Sequence, residues 1–142
     1  MNFHTMLQEP LYAFCQPLPW EVELFQSKPV RRLKHLAHFG AGALVTSVVH
    51  SRYEHTIGVW KLASYFFPDD KLLRAAAILH DIGHLPFSHA VESALNFNHH
   101  QLTEKRILGE EITSILAKAS IESSAVVELL RKPSVLTEQT IS

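Results

Sequence analysis

The chain is 142 residues long, 46% hydrophobic and 19% charged, within the range of one domain with a buried core and far from a disordered chain. A formal net charge of -1 supplies no basic field for gripping nucleic acid. No apolar run approaches the ~18 residues of a membrane span, and the opening MNFHTMLQEP has neither a charged leader nor an apolar one. The single Cys15 excludes an internal disulfide and fits a reducing compartment, so the expectation is a cytoplasmic protein with no membrane partner.

In chain order, Pro10, Pro17 and Pro19 predict an extended N-terminal arm over about 1–26. Ser27 as cap and Pro29 in a first turn predict a helix over Val30 to Leu36, stopped by Gly40 and Gly42. Val45 to Val49 is a short β-branched run, too isolated to imply a sheet. From Glu54 a helical stripe runs through His55, Val59, Leu62, Ala63 and Phe66, and Ile57 and Trp60 make the other face apolar as well, which predicts a central, buried helix. Pro68 ends it, Asp69 or Asp70 caps the next helix, which runs to about Asp81, and Gly83 and Pro86 break that one. Ser88 opens a short helix through Ala94. Leu108, Ile112, Ile115 and Leu116 form one stripe on a helix over Leu102 to Lys118. A last helix over about 120–132 turns Val126, Leu129 and Leu130 inward and stops before Pro133. The fold class is all-α, a single helical bundle with the metal-site helices over about 27–118.

Ten histidines, most of them between His35 and His100, carry the chemical signal. His80 and Asp81 are neighbours near a helix end, where side chains about 100° apart in direction still converge on an ion at the terminus. His55, facing inward from a separate helix, supplies a third ligand from across the core. Mixed imidazole and carboxylate ligation suits one divalent ion such as Mn, Fe, Ni, Co or Zn, with Mg arriving alongside a substrate. His84, one turn beyond His80, projects beside the ion rather than onto it. His89 and Glu92, three apart, share a face, and a His–carboxylate pair is how a general acid is held in one tautomer. An adjacent His and Asp occur often by chance, and His55 alone reads equally well as a core histidine.

The ordered motifs resemble a known family. HSRYEHTIGV around His55, ILHDIGH over Ile78 to His84 and PFSH over Pro86 to His89 look like the HD-domain metal-dependent phosphohydrolases. The nearest branch in appearance is the deoxynucleoside triphosphate triphosphohydrolases. Glu9 to Tyr12, Arg32-Leu33 with His38-Phe39-Gly40, and His99-His100 with Leu102-Thr103 extend the resemblance over about residues 9 to 110. It implies that His55, His80 and Asp81 are metal ligands, and that His84, His89, Glu92 and His100 line a catalytic pocket in which His89 and Glu92 form the proton-donating pair. It also implies that Arg52 contacts a phosphate, as a guanidinium fork beside a metal can. The implied reaction is hydrolysis of a nucleotide phosphoester.

This sequence departs from the family in two places. The family's fourth ligand is an aspartate well downstream, whereas the aspartates here are Asp69, Asp70 and Asp81, and Glu138 has no supporting pattern around it. The expectation is therefore a fragment of a longer enzyme, a site completed by a second chain, or a three-ligand site finished by waters. His38 stands where relatives place a glutamine near base and sugar, and Arg31 also replaces a common glutamine, so monophosphates and cyclic dinucleotides join dNTPs as candidate substrates. The alternative to an enzyme is a nucleotide- or protein-binding module with an incomplete site. Relatives are often multimeric, and Trp20, Phe25 and the C-terminal helix are the candidate contact surface of a homo-oligomer.

Overall fold

The structure, a computed structural model, describes residues 16–36, 51–84 and 99–132. They form an all-α assembly: α1 (Pro19–Gln26), α2 (Lys28–Arg31) running into a 3-10 turn (Arg32–His35), α3 (Arg52–Phe66), α4 (Lys71–Leu79), α5 (His99–Ile107), α6 (Glu110–Ala117) and α7 (Ser123–Leu130). Among the described residues no helix is long and apolar enough to cross a membrane.

The centre of the assembly is α4. Asp70 starts it, its Oδ1 accepting the Leu73 N–H at 3.0 Å and so satisfying one of the free donors of the first turn. Every residue from Leu73 to Leu79 is buried, because α4 packs against α1, α3 and α7 on different sides. An apolar sequence all round is what such a position requires. Arg74 is the exception in that run, and its charge is met inside the protein. Its Nη2 and Nε donate to the two carboxylate oxygens of Glu21 at 2.6 and 2.8 Å, and its Nη1 donates to the Pro68 carbonyl at 2.8 Å. Glu21 in turn accepts from Trp60 Nε1 at 2.7 Å and from the Leu18 N–H at 2.8 Å. With Glu21 0% exposed and Arg74 5% exposed, this fork ties α1, α3 and α4 together inside the core.

The expected extended arm over about 1–26 is corrected at its end, since residues from Pro19 onward are helical. Pro19 occupies the first turn of α1, where a missing N–H is harmless and the fixed φ already suits a helix. Trp20 and Phe25, expected as oligomer contacts, are core residues at 7% and 0% exposure. Phe25 packs edge-on against Tyr53 and Trp60, with ring centroids 6.0 and 5.5 Å away. The C-terminal helix α7 lies on α4, so its inner face is spent on the core.

On α3 the buried face runs through Tyr53, Thr56, Ile57, Trp60 and Ala63, whereas Leu62 and Phe66 of the expected stripe are exposed. The buried face carries Trp60 and Tyr53, and burying a large apolar side chain is worth about 1.5–3 kcal/mol, whereas Tyr65 and Phe66 near the helix end stay exposed. The single helix expected over Leu102 to Lys118 is broken into α5 and α6 at Leu108-Gly109, and Leu108 points outward. Gly109 permits the break: a Cβ there would lie 3.1 Å from the Arg106 carbonyl oxygen. After α6 the chain reverses at Ser120, which has φ 60, and the Ile121 N–H closes back on the Leu116 carbonyl at 3.0 Å, a helix stop that uses the left-handed region. The final helix consequently starts at Ser123, with Val126 buried and Leu129 and Leu130 partly so. The expected helix over Ser88 to Ala94, the run Val45 to Val49, and Gly40 and Gly42 lie outside the described residues.

Candidate metal centre

Two helix ends deliver the ligand set. Ser51 caps α3, its Oγ accepting the Glu54 N–H at 3.2 Å, and this places Arg52 and His55 on the first turn. His80 and Asp81 follow the last residue of α4, in a turn that continues to Gly83 rather than in the helix that the sequence suggested.

They converge on one carboxylate. Asp81 Oδ2 lies 3.3 Å from Arg52 Nη1, 3.6 Å from His80 Nε2 and 4.0 Å from His55 Nε2. Asp81 Oδ1 lies 3.2 Å from His84 Nε2. The His55 and His80 rings meet edge to face with centroids 5.6 Å apart. One ligand atom from each of His55, His80 and Asp81 falls within 4.8 Å of the others. Donors at about 2.0–2.2 Å from a tetrahedral ion lie about 3.3–3.6 Å apart, so closing on an ion takes a shift of about an ångström in the widest pair.

The hydrogen bonding fits an ion as well as the distances do. His80 Nδ1 sits 2.7 Å from the Ala77 carbonyl oxygen, which fixes Nδ1 as the donor. In the neutral ring Nε2 then carries a lone pair, and it faces the carboxylate of Asp81 at 3.6 Å. That pairing suits a shared cation, either a proton on the ring or a metal ion between the two atoms. Burial by itself would raise the Asp81 carboxyl, but the charges of His80, His84 and Arg52 and the His84 hydrogen bond outweigh it and hold the group far below the usual carboxylate range. Asp81 is thus an anion at any working pH, as a ligand must be.

The turn bearing these residues is itself held from outside. Arg32 Nη2 donates to the carbonyls of Ile82, at 2.9 Å, and of His84. The Gly83 N–H donates to Thr103 Oγ1 at 2.9 Å, and Thr103 is 3% exposed. Burial, helped by the charge of Arg106, lowers the Arg32 guanidinium to about 10, which leaves it a cation at neutral pH. Arg32 and Thr103 entered the sequence reading only through resemblance, and no residue pattern marks a side chain that will bind backbone carbonyls or amides.

Of the residues singled out in the sequence, the structure therefore brings together Arg52, His55, His80, Asp81 and His84. His100 is exposed on the first turn of α5, where its charge acts on Glu104, and Glu104 is forked to Arg131. His38, His89, Glu92 and Glu138 lie outside the described residues.

The chain is similar in sequence to several known proteins. The MG461 homolog of Mycoplasma pneumoniae is 33% identical over 137 residues, covering 82% of this chain and 32% of its own length. YwfO of Bacillus subtilis is 31% identical, covering 84% of this chain and 31% of its own. A deoxynucleoside triphosphate triphosphohydrolase, the SAMHD1 homolog of Dictyostelium discoideum, is 30% identical over 103 residues, or 62% of this chain and 20% of that one. The chain spans about a third of the length of the first two relatives. The HD domain matches residues 52–139, a stretch that takes in the whole cluster around Asp81, and the chain belongs to the HD-domain family.

Proposed function

We propose that this chain carries the metal centre of a phosphohydrolase acting on a nucleotide phosphoester, with a deoxynucleoside triphosphate as the leading candidate substrate. The reading rests on one observation: two imidazoles and a carboxylate converge from two helix ends, and a guanidinium lies on the same carboxylate. Similarity to proteins named deoxynucleoside triphosphate triphosphohydrolases supports the choice of substrate.

His55, His80 and Asp81 would hold the ion, which when bound supplies Lewis-acid polarisation of the phosphoester and activation of water. The chain's own groups do the remaining work. Arg52 shares Asp81 Oδ2 with the two ligand histidines, so a phosphate brought to the ligands is within reach of its free donors for a forked contact. His84 occupies the other carboxylate oxygen, which fixes the rotation of Asp81 and leaves Oδ2 for the ion. His89 with Glu92 is the proposed donor of the proton to the leaving oxygen, a role that rests on the resemblance of PFSH and the residues after it.

A panel of dNTPs, nucleoside monophosphates, a cyclic dinucleotide and bis(p-nitrophenyl) phosphate, assayed after chelation and again after adding Mn2+, tests the proposal. The expected result is turnover that disappears with the metal and returns with it, the released product identifying the bond cleaved. A chain that binds nucleotide but turns over nothing with any metal is a binding module, and the hydrolase reading is then wrong.

A further inference from the structure

The turn from His80 to His84 carries two ligands and the histidine that orients one of them, yet its own internal bonding is slight. Within it the His84 N–H reaches the Asp81 carbonyl at 3.1 Å and the Ile82 N–H reaches the Leu79 carbonyl at a long 3.4 Å. Neither of those two bonds involves the Ile82 carbonyl, the Gly83 amide or the His84 carbonyl. Their partners come instead from two other parts of the fold. Arg32, on the 3-10 turn after α2, bridges the Ile82 and His84 carbonyls with a single nitrogen. Thr103, on α5, takes the amide of Gly83 between them.

These three contacts fall on three consecutive residues, on both kinds of backbone group, and immediately after Asp81. The peptide unit joining Ile82 to Gly83 is therefore held at both its carbonyl and its amide, and the His84 carbonyl is held as well, which limits the rotation of the backbone just after the ligand-bearing end of the turn. Arg32 is well suited to the task, because a half-buried cation just beyond the C-terminal end of α4 also opposes the negative end of that helix's dipole. Its Nε is buried with no hydrogen-bond partner among the described residues, so the guanidinium holds its place through Nη2 at some expense in desolvation. Such an arrangement is hard to explain as surface decoration.

We propose that Arg32 and Thr103 are positioning residues for the metal centre: they touch neither ion nor substrate, and by clamping the Ile82–His84 backbone they set the spacing of the His80, Asp81 and His84 side chains. The proposal rests on the metal-centre reading above. It separates from a merely structural role because a residue needed only for stability changes the unfolding midpoint and leaves the folded protein's affinity for metal alone.

The experiment measures Co2+ and Mn2+ binding calorimetrically, and the Co2+ visible spectrum, for the wild-type chain and for Arg32→Ala, Arg32→Lys, Thr103→Val and Thr103→Ser, each well below its own melting temperature. Thr103→Val preserves shape and removes only the hydroxyl, so it remains informative if Arg32→Ala fails to fold. Loss of an outer contact of this kind weakens metal binding by about 10–100-fold. The expected result is that loss in Thr103→Val and in the Arg32 variants, an altered Co2+ spectrum, and recovery of both in Thr103→Ser. Folded Thr103→Val and Arg32→Lys proteins with wild-type affinity and spectrum overturn the positioning role while leaving the metal centre intact. A wild-type chain that binds neither ion overturns the metal centre and this proposal with it.

Discussion

Asp81→Asn is expected to abolish the proposed metal-dependent hydrolysis while leaving a folded protein. The amide keeps the size of the side chain and one oxygen for His84, but it removes the negative charge that faces Arg52, His80 and His55. An ion offered two neutral imidazoles and a neutral amide is held far less firmly than one with a carboxylate. The expected loss exceeds what outer contacts produce, at about 10³-fold or more in metal affinity and in turnover at fixed metal. Asp81→Ala gives the same loss of activity and also destabilises, because Arg52 and His84 are left without their shared partner in a mostly buried place, at about 1–3 kcal/mol. Calorimetric metal titration and the hydrolysis panel provide the check, and Asn-variant turnover within tenfold of wild type would remove Asp81 from the centre. Acidification is a second, milder route to the same loss, since protons compete with the ion for the imidazole nitrogens.

The second large effect lies away from the site, at the fork between Glu21 and Arg74. Replacing either partner alone leaves a charge in the core: Glu21→Leu strands the Arg74 guanidinium on backbone carbonyls, and Arg74→Met strands the Glu21 carboxylate with only Trp60 Nε1 and the Leu18 N–H. Each single substitution is expected to lower stability in urea by about 3–5 kcal/mol, a large share of the 5–15 kcal/mol typical of a domain. The double substitution costs much less than the two singles together, because neither charge remains. It does not return fully to wild type, since Trp60 Nε1 loses its acceptor, a penalty of about 1–3 kcal/mol. Single variants within about 1 kcal/mol of wild type, as exposed pairs behave, would mean that the fork contributes little.

The helices that periodicity predicted best, α3, α4 and α7, are present, and the meeting of His55 with His80 and Asp81 was readable because their motifs are adjacent to helix boundaries. What could not be read has physical reasons. Helix α3 is apolar on two sides, so spacing could not say that Ile57 and Trp60 face inward and Phe66 outward. Helix α1 was hidden by Pro17 and Pro19, residues that forbid a helix interior but welcome a helix start. The split between α5 and α6 depends on a close backbone approach at Gly109 that no stripe of leucines reveals. A guanidinium in the middle of LLRAAAIL was the available hint of a buried charge pair, but nothing in the chain named Glu21, 53 positions away, as its partner. Arg32 and Thr103 hold main-chain atoms, which every residue has.

The burial of α4 from Leu73 to Leu79 has a consequence for how the centre moves. Amide hydrogens there are expected to exchange with solvent only when the whole domain opens, so His80 and Asp81 follow directly after a strongly protected segment. His55 instead sits one turn from a helix end, with its side chain 36% exposed, where fraying is frequent and inexpensive. An arriving ion therefore meets one rigid jaw and one yielding jaw, and deuterium uptake measured with and without Mn2+ should slow at the beginning of α3 and barely change along α4.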